Sequence, residues 1–319
     1  MRTVTSTSVC KERGEKQKRK KSIRYDKYGY IFIIPFFAAF FLFQLYPNFY
    51  TIFLSFTNMK GTAADFDFVA FDQYAWLWQN AKFWRSLGNT ALIWIINFVP
   101  QLTCALLFAY IFTNRRVRIR GKNIWKAVFY MPNILTAAAV ALLFASLFGH
   151  PFGTFTIIFR KLGLVAEDFQ FMLDPWATRL IVCFIQFLMW TGPTMIMLIS
   201  GMIGINDSLY EAAMLDGASD GRMFFSITLP LIRPIMLYTL VTSLVGGLQV
   251  FDVPYLFNGG GPNSDFSTTT ITIFSYELAF TGENNFGASA ASSVYLLIVA
   301  ALCSVILFKV MNRREKDGR

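Results

Sequence analysis

The chain has 319 residues, of which 55% are hydrophobic and only 15% charged, with a mean hydropathy of +0.47 and a formal net charge of +10. A soluble domain carries about 25% charged residues; here the charges gather between long apolar runs, which excludes a water-soluble globular fold. The positive excess sits largely in residues 11–27 and 115–126, flanking apolar runs as membrane insertion requires, and not on a soluble face interleaved with stacking aromatics, which excludes nucleic-acid binding.

Residues 1–27 form a polar, basic tail with too little apolar surface to offset its ordering entropy, and read as a disordered cytoplasmic segment. A basic n-region followed by an apolar run also opens a signal peptide. The run here extends over residues 28–56 without a small-residue cleavage site, so it reads as an uncleaved first helix punctuated by Pro35 and Pro47. A bilayer core about 30 Å thick needs about 20 apolar residues in a helix. Residues 57–88 carry Trp76, Trp78 and Trp84 and read as a loop lying against the far membrane interface. A second helix is predicted over 89–112. A basic cytoplasmic loop follows, with Arg115, Arg116, Arg118, Arg120, Lys122 and Lys126, and then a third helix over 127–148 with Pro132 and Asn133 near its start.

The far-side connection 149–178 holds a weak signal for a short interfacial helix over 152–164. The fourth helix spans 179–203, the fifth 235–256 and the sixth 288–310, with the glycine-rich turn Asn258-Gly-Gly-Gly-Pro-Asn263 between the last two. That turn has no following Gly-Lys-Ser/Thr and no preceding strand, so it is no phosphate cradle. The expectation is therefore an all-α polytopic membrane protein of six transmembrane helices, N-in and C-in, with no bound cofactor. The four cysteines lack metal or redox spacing, and the lone His150 has no catalytic companions.

One cytoplasmic segment breaks the charge rule. Residues 206–234 carry Asp207, Glu211, Asp216 and Asp220 against Arg222 and Arg233. A net negative loop on the basic side is not serving insertion, which points to contact. Ser208-Leu-Tyr-Glu211 fits a capping box, Ala212 to Leu215 favour helix, and Gly217 suits a left-handed stop. Ser219 or Asp220 can cap a second short helix through Phe224 and Phe225 that Pro230 ends. Such a hairpin is too short to stand alone in water.

Glu211-Ala-Ala213, then Gly217, then Pro230 resemble the EAA loop of binding-protein-dependent ABC importer permeases, without a gap. Gln44-Leu-Tyr-Pro-Asn48, Leu54-Ser-Phe-Thr57, Asn89-Thr90, Gln249-Val-Phe-Asp252, Gly260-Gly-Pro262 and the Ala288–Ser292 run are similar to the sugar-permease branch, the maltose and glycerol-phosphate type. Asn258 before three glycines departs from the branch's usual Thr and two. The resemblance implies a type I importer transmembrane domain over 28–319, with a core over 86–310 and a coupling loop over 206–234. It implies a second permease subunit, two ATPase subunits that bind ATP and Mg, and an extracytoplasmic solute-binding protein, all at the cytoplasmic (inner) membrane. Glu211 would be the ionic contact to the ATPase and Gly217 the turn. Ala212 and Ala213 would permit close approach, with Leu215, Met223 and Phe224 as apolar contacts, beside Asp216 and Pro230 of the same motif.

Polar groups inside apolar helices usually face the bundle interior. Gln186 and Trp190 are four apart and share a helix face. Ser243, Gly246 and Gln249 on the fifth helix, Asn133 on the third, and Asn97 with Gln101 on the second complete the candidates for the solute pathway. An amide beside an indole suits a sugar; the same amides also serve as interhelical glue, and the residues leave both roles open. Asp252 reads as an interfacial residue. Amino-acid, phosphate or glycerol-phosphate import is the alternative within the class. A secondary transporter would favour charged relays at mid-span, and a membrane enzyme a convergent acid–base set.

Overall fold

The computed structural model describes residues 26–61, 66–114, 119–259, 266–281 and 284–316, with side chains from Tyr30 to Val310. The expectations for residues 1–25, for Arg115, Arg116 and Arg118, for residues 260–262 and for the side chains of 313–316 fall outside them. The chain divides into two units, Met1–Phe49 and Tyr50–Arg319. The first holds most of α1, which runs through Asp26–Phe40, a π-helical turn at Phe41–Leu45, and Tyr46–Leu54. That wide turn, in which the Tyr46 amide reaches Phe41 O, stands immediately before Pro47. A proline ring clashes with the carbonyl four residues back, and the wider turn gives it room. The helix therefore continues past both prolines.

In the second unit, α2 (Asp72–Gln79) leads at once into α3 (Ala81–Thr113). The Asn80 side chain caps α3, accepting from the amides of Lys82 at 2.9 Å and Phe83 at 3.4 Å. At 1.5 Å per residue α3 is about 50 Å long, more than a bilayer core. Next come α4 (Lys122–Ile134), α5 (Ala137–Phe148), the short α6 (Thr154–Lys161) and α7 (Pro175–Ile203). Asp174 caps α7 at the Ala177 amide, 2.7 Å away, with Pro175 in the first turn, where a missing N–H is harmless. The hairpin arms are α8 (Asp207–Leu215) and α9 (Asp220–Met223), the latter extended by a π turn at Phe224–Thr228 and by Leu229–Leu231. α10 (Arg233–Leu248), α11 (Asp252–Phe257), α12 (Ile271–Tyr276, widening at Glu277–Thr281) and α13 (Phe286–Lys316) complete the chain.

Five helices are long and apolar enough to cross a bilayer, and the α4–α5 pair makes a sixth span when taken as one. Among the described residues there is no strand, only the isolated bridges Thr57–Phe68 and Lys60–Asn285. The spine is α3 against α7. Three apolar cores sit along it: Ile93, Val182, Ile185 and Phe257 toward one end; Leu77, Phe83, Leu248 and Phe274 beside it; and Ala105, Ala109, Leu198, Met202 and Ile232 toward the hairpin. Small residues let the backbones approach, as membrane packing favours. A Cβ on Gly192 would lie 2.3 Å from Phe129 O, so α4 crosses α7 nearly backbone to backbone there.

Several sequence expectations are corrected. The third span is not one helix over 127–148: α4 and α5 meet at 90°. Leu135 and Thr136 are extended, and the Thr136 hydroxyl starts a new helix by accepting from the Ala139 amide at 3.2 Å. Asn133 therefore lies at the end of α4, not near the start of a span. The fifth helix stops at Leu248 and resumes at Asp252. The α12 helix, inside a stretch the sequence left as connection, is capped by Thr270.

The capping box of Ser208 and Glu211 does not form. Asn206 is the cap, accepting from the Ser208 amide at 3.1 Å, so Ser208 is already inside the first turn. Pro230 does not end the second arm. The preceding π turn, with the Leu229 amide on Phe224 O, accommodates its ring, and the stop falls at Ile232, φ −85° and ψ 2°. Ser219, one of the two caps considered, is the one used, at the Arg222 amide.

Candidate functional site

Two cavities matter, and the same helices connect them. The first, about 130 Å³, lies between α3, α7 and α10. Gln186 and Trp190 from α7 and Ser243 and Gly246 from α10 all line it, as do Trp94, Asn97 and Gln101 from α3 and Thr194 from α7. Gln249 and Asn133 do not line it: Gln249 sits exposed at the end of α10, and Asn133 is on α4. The i, i+4 spacing of Gln186 and Trp190 places both on the cavity face.

The polar lining sorts into two kinds. Gln101 is committed to packing: its Nε2 donates to Thr194 Oγ1 at 2.8 Å and to Trp190 O at 3.3 Å. Asn97 is only 8% exposed, yet its Oδ1 finds no donor among the described residues. A buried carbonyl without a donor costs free energy, so Asn97 is a cavity-lining amide whose acceptor is left unpaired among the described residues. Trp94 donates to Ser243 Oγ at 3.4 Å and lies over Gly247, where a Cβ would come within 2.1 Å of its ring. Gly246 has no atom within 4 Å of such a Cβ. One glycine brings α10 onto α3; the other opens the cavity. Trp94 and Thr194 had no sequence signal beyond their apolar setting.

The second cavity, about 320 Å³, lies between the hairpin and the ends of α3 and α7. Its lining includes Tyr110, Asn114, Asp207, Tyr210, Glu211, Asp220 and Thr228. Gly217 has φ +76° and a Cβ there would meet nothing within 4 Å. The Ala218 amide returns to Ala213 O at 2.9 Å and the Gly217 amide to Met214 O at 3.1 Å. These two bonds are the Schellman pattern that closes a helix with a left-handed residue. The Tyr210 and Thr228 hydroxyls, 2.9 Å apart, tie the two arms together.

The structure separates the hairpin's apolar residues by direction. Met223 is buried and Phe224 packs edge-on against Tyr110, 4.8 Å between ring centres, so both serve the chain's own bundle. Leu215 is 90% exposed, with Met214 and Phe225 also outward; Phe225 is an outward candidate that the motif alone does not single out. Glu211, Ala212, Asp216 and Pro230 are exposed or nearly so, and Ala213 is half-buried. Asp216 stands at the C-cap of α8, where a negative charge opposes the helix dipole. Local structure gives it no reason to be acidic, and with Asn206 as the cap, Glu211 has no capping duty.

Among the described residues no group of three or more His, Cys, Asp or Glu could hold a metal ion. A helical bundle with a polar cavity between its long helices, and a hairpin joining two of them, has the build of a membrane permease. The chain belongs to the family described as binding-protein-dependent transport system inner membrane component, whose model matches residues 79–317. It is similar to the lactose transport system permease protein LacF of Rhizobium radiobacter, 30% identical over 292 residues, covering 91% of this chain and 96% of that one. It is also 29% identical to the multiple sugar-binding transport system permease protein MsmF of Streptococcus mutans over 293 residues, covering 91% and 97%. Among solved structures, a chain of a bacterial alginate ABC transporter, in complex with an alginate pentasaccharide-bound periplasmic protein, superposes with a TM-score of 0.77 at 21% identity, over 92% of this chain and 96% of that one. The protein is a multi-pass permease subunit of an ABC importer that works with a binding protein, and it is a transport component, with ATP hydrolysis on a separate subunit.

Proposed function

We propose that the chain passes a sugar or oligosaccharide, handed over by an extracytoplasmic solute-binding protein, across the cytoplasmic membrane by alternating access. In this reading it pairs with a second permease subunit above two ATPase subunits, which bind ATP and Mg. The observation that carries it is shared construction: α7 and α10 wall the mid-span cavity, and the hairpin is the link between those two helices. Movement of the hairpin is movement of the cavity wall. The Ile232 stop, with its amide on Thr228 O at 3.0 Å and its carbonyl held by the Met236 amide at 2.9 Å, transmits force from the second arm into α10.

The chemistry of the cavity supports a sugar. Asn97 offers an acceptor, Gln186 an amide, Ser243 and Thr242 hydroxyls, and Trp190 an indole for the C–H face of a ring. A hydroxyl-rich solute leaves fewest of these groups unpaired on entry. At the other end, Glu211 and Asp216 provide the charge, and Leu215, Met214 and Phe225 the apolar contacts, for a cleft on the ATPase. The hairpin then acts as a two-state element biased by ATPase closure. The cytoplasmic placing of the hairpin is supported by Lys122, whose Nζ donates to Phe112 O at 3.1 Å and so holds the basic connection at the hairpin end of α3, basic residues favouring that side.

The test is isolation and uptake. A tag on this chain should recover a second permease and two ATPase subunits from mild detergent, and the complex in vesicles should take up the sugar that calorimetry finds for the binding protein. Uptake that proceeds without ATP, or a binding protein that takes amino acids and no sugar, would overturn the reading.

A further inference from the structure

A short buried strap lies beyond Val250, at the cavity's end opposite the hairpin. Ser267, Thr268, Thr269 and Thr270 follow no helix, yet each is at most 1% exposed. Peptide groups in such surroundings have to be paired, and side chains of two other helices do the pairing. Asn89, near the start of α3, donates to Phe266 O at 2.7 Å and to Thr269 O at 3.2 Å. Arg179, in the second turn of α7, donates to Ser267 O from Nε at 3.2 Å and from Nη2 at 3.1 Å, and Nη2 also reaches Asn89 Oδ1 at 3.1 Å. Thr90 accepts from the Ile271 amide at 2.9 Å.

The strap in turn holds the cavity wall. Between α10 and α11 the backbone is broken at residues 249–251. Val250 lines the cavity, and its carbonyl takes the Thr270 and Thr272 hydroxyls at 2.8 and 2.7 Å. A chain of hydrogen bonds therefore runs from Arg179 and Asn89 through the strap to Val250. We propose that Arg179 and Asn89 are positioning residues that latch the cavity shut at this end, acting through the strap on the break in α10. Arg179 is half-buried and flanked by Trp176, 4.7 Å from its ring centre. The described bonds of the guanidinium reach the strap and Asn89 from neighbouring nitrogens, so one movement of the Arg179 side chain would release both. The inference rests on the permease reading, in which this end faces the solute-binding protein.

The test uses the whole complex in vesicles. Cys10, Cys104, Cys183 and Cys303 are replaced, and Gly246→Cys places one thiol in the open part of the cavity. A membrane-impermeant maleimide is added from outside, without binding protein. With Arg179→Gln or Thr272→Val added, the introduced thiol should react on the order of tenfold faster than in the parent, the effect of losing one charge-assisted or buried hydrogen bond. Arg179→Lys, which keeps the charge and loses the fork, should fall between. Complex assembly and ATP hydrolysis guard against misfolding, and Thr272→Val removes one hydroxyl without disturbing Arg179. Equal labelling in parent and variants would overturn the latch alone, provided that ATP and binding protein together still expose the introduced thiol. A thiol that stays unreactive in every state would overturn the cavity's place on the path as well.

Discussion

Replacing Gly217 isolates the hinge. Its φ of +76° lies in the left-handed region, and the space around its missing Cβ is open, so the cost of a side chain comes from backbone conformation alone. An L-residue loses about 1–2 kcal/mol there, a β-branched residue more, and asparagine least among side-chain residues. If Gly217→Val escapes the strain by leaving the left-handed region, it forfeits the Ala218 to Ala213 and Gly217 to Met214 bonds, each worth about 1 kcal/mol. The bundle beneath is anchored by Met223 and Ile232 and should keep its thermal stability. The hairpin's docking-competent population should fall about tenfold for each 1.4 kcal/mol. In proteoliposomes, binding-protein-stimulated ATPase and uptake should fall together in the order Gly, Asn, Ala, Val. If Val retained full coupling, the hinge would be unnecessary. If Asn, Ala and Val all failed equally, the conformational account would be wrong and a partner backbone against Gly217 would be the cause.

Glu211→Gln removes charge without removing a cap, because Asn206 caps α8; helix content should stay constant while stimulated ATPase drops, and an equal loss of assembly in detergent would refute a pure docking role. Gly192→Val drives a side chain into the backbone of Phe129 and Tyr130 and should prevent a stable fold, read as loss of monodisperse complex. Gly246→Ala has open space and should leave stability unchanged while altering the apparent KM for uptake. Gln101→Leu strands Thr194 Oγ1 and should cost about 0.6–2 kcal/mol in the membrane, visible as a lower melting midpoint with solute specificity unaltered.

Much of the design was legible along the chain. Long apolar runs announce spans because a bilayer admits only self-satisfied backbone, and the four later runs end within a few residues of α3, α7, α10 with α11, and α13. The EAA spacing located the hairpin, and Gly217 was identifiable from conformational preference. That Gln186 and Trp190 share a face was readable from helical periodicity, whereas their meeting with Ser243 and Gly246 around one cavity came from the structure. Harder to see were features with no local signature. The 90° bend between α4 and α5 depends on packing around Gly192 as much as on Pro132. Asn97 and Gln101, one turn apart on α3, look alike in sequence; only the arrival of Thr194 from α7 commits one to structure and leaves the other open.

What the amino-acid order determined by itself is therefore a polytopic helical membrane protein, the places of its long apolar runs and the position of the polar hairpin. These follow from hydropathy, charge asymmetry and short-range backbone preference, each of which acts within a few residues. The tertiary structure decided which polar groups are already satisfied, where the fifth span breaks, and that Arg179 on one helix and Asn89 on another hold one buried strap. Hydrogen-bond satisfaction across helices depends on partners far apart in the chain, Asn89 and Thr269 among them, so it exists only once the bundle has formed.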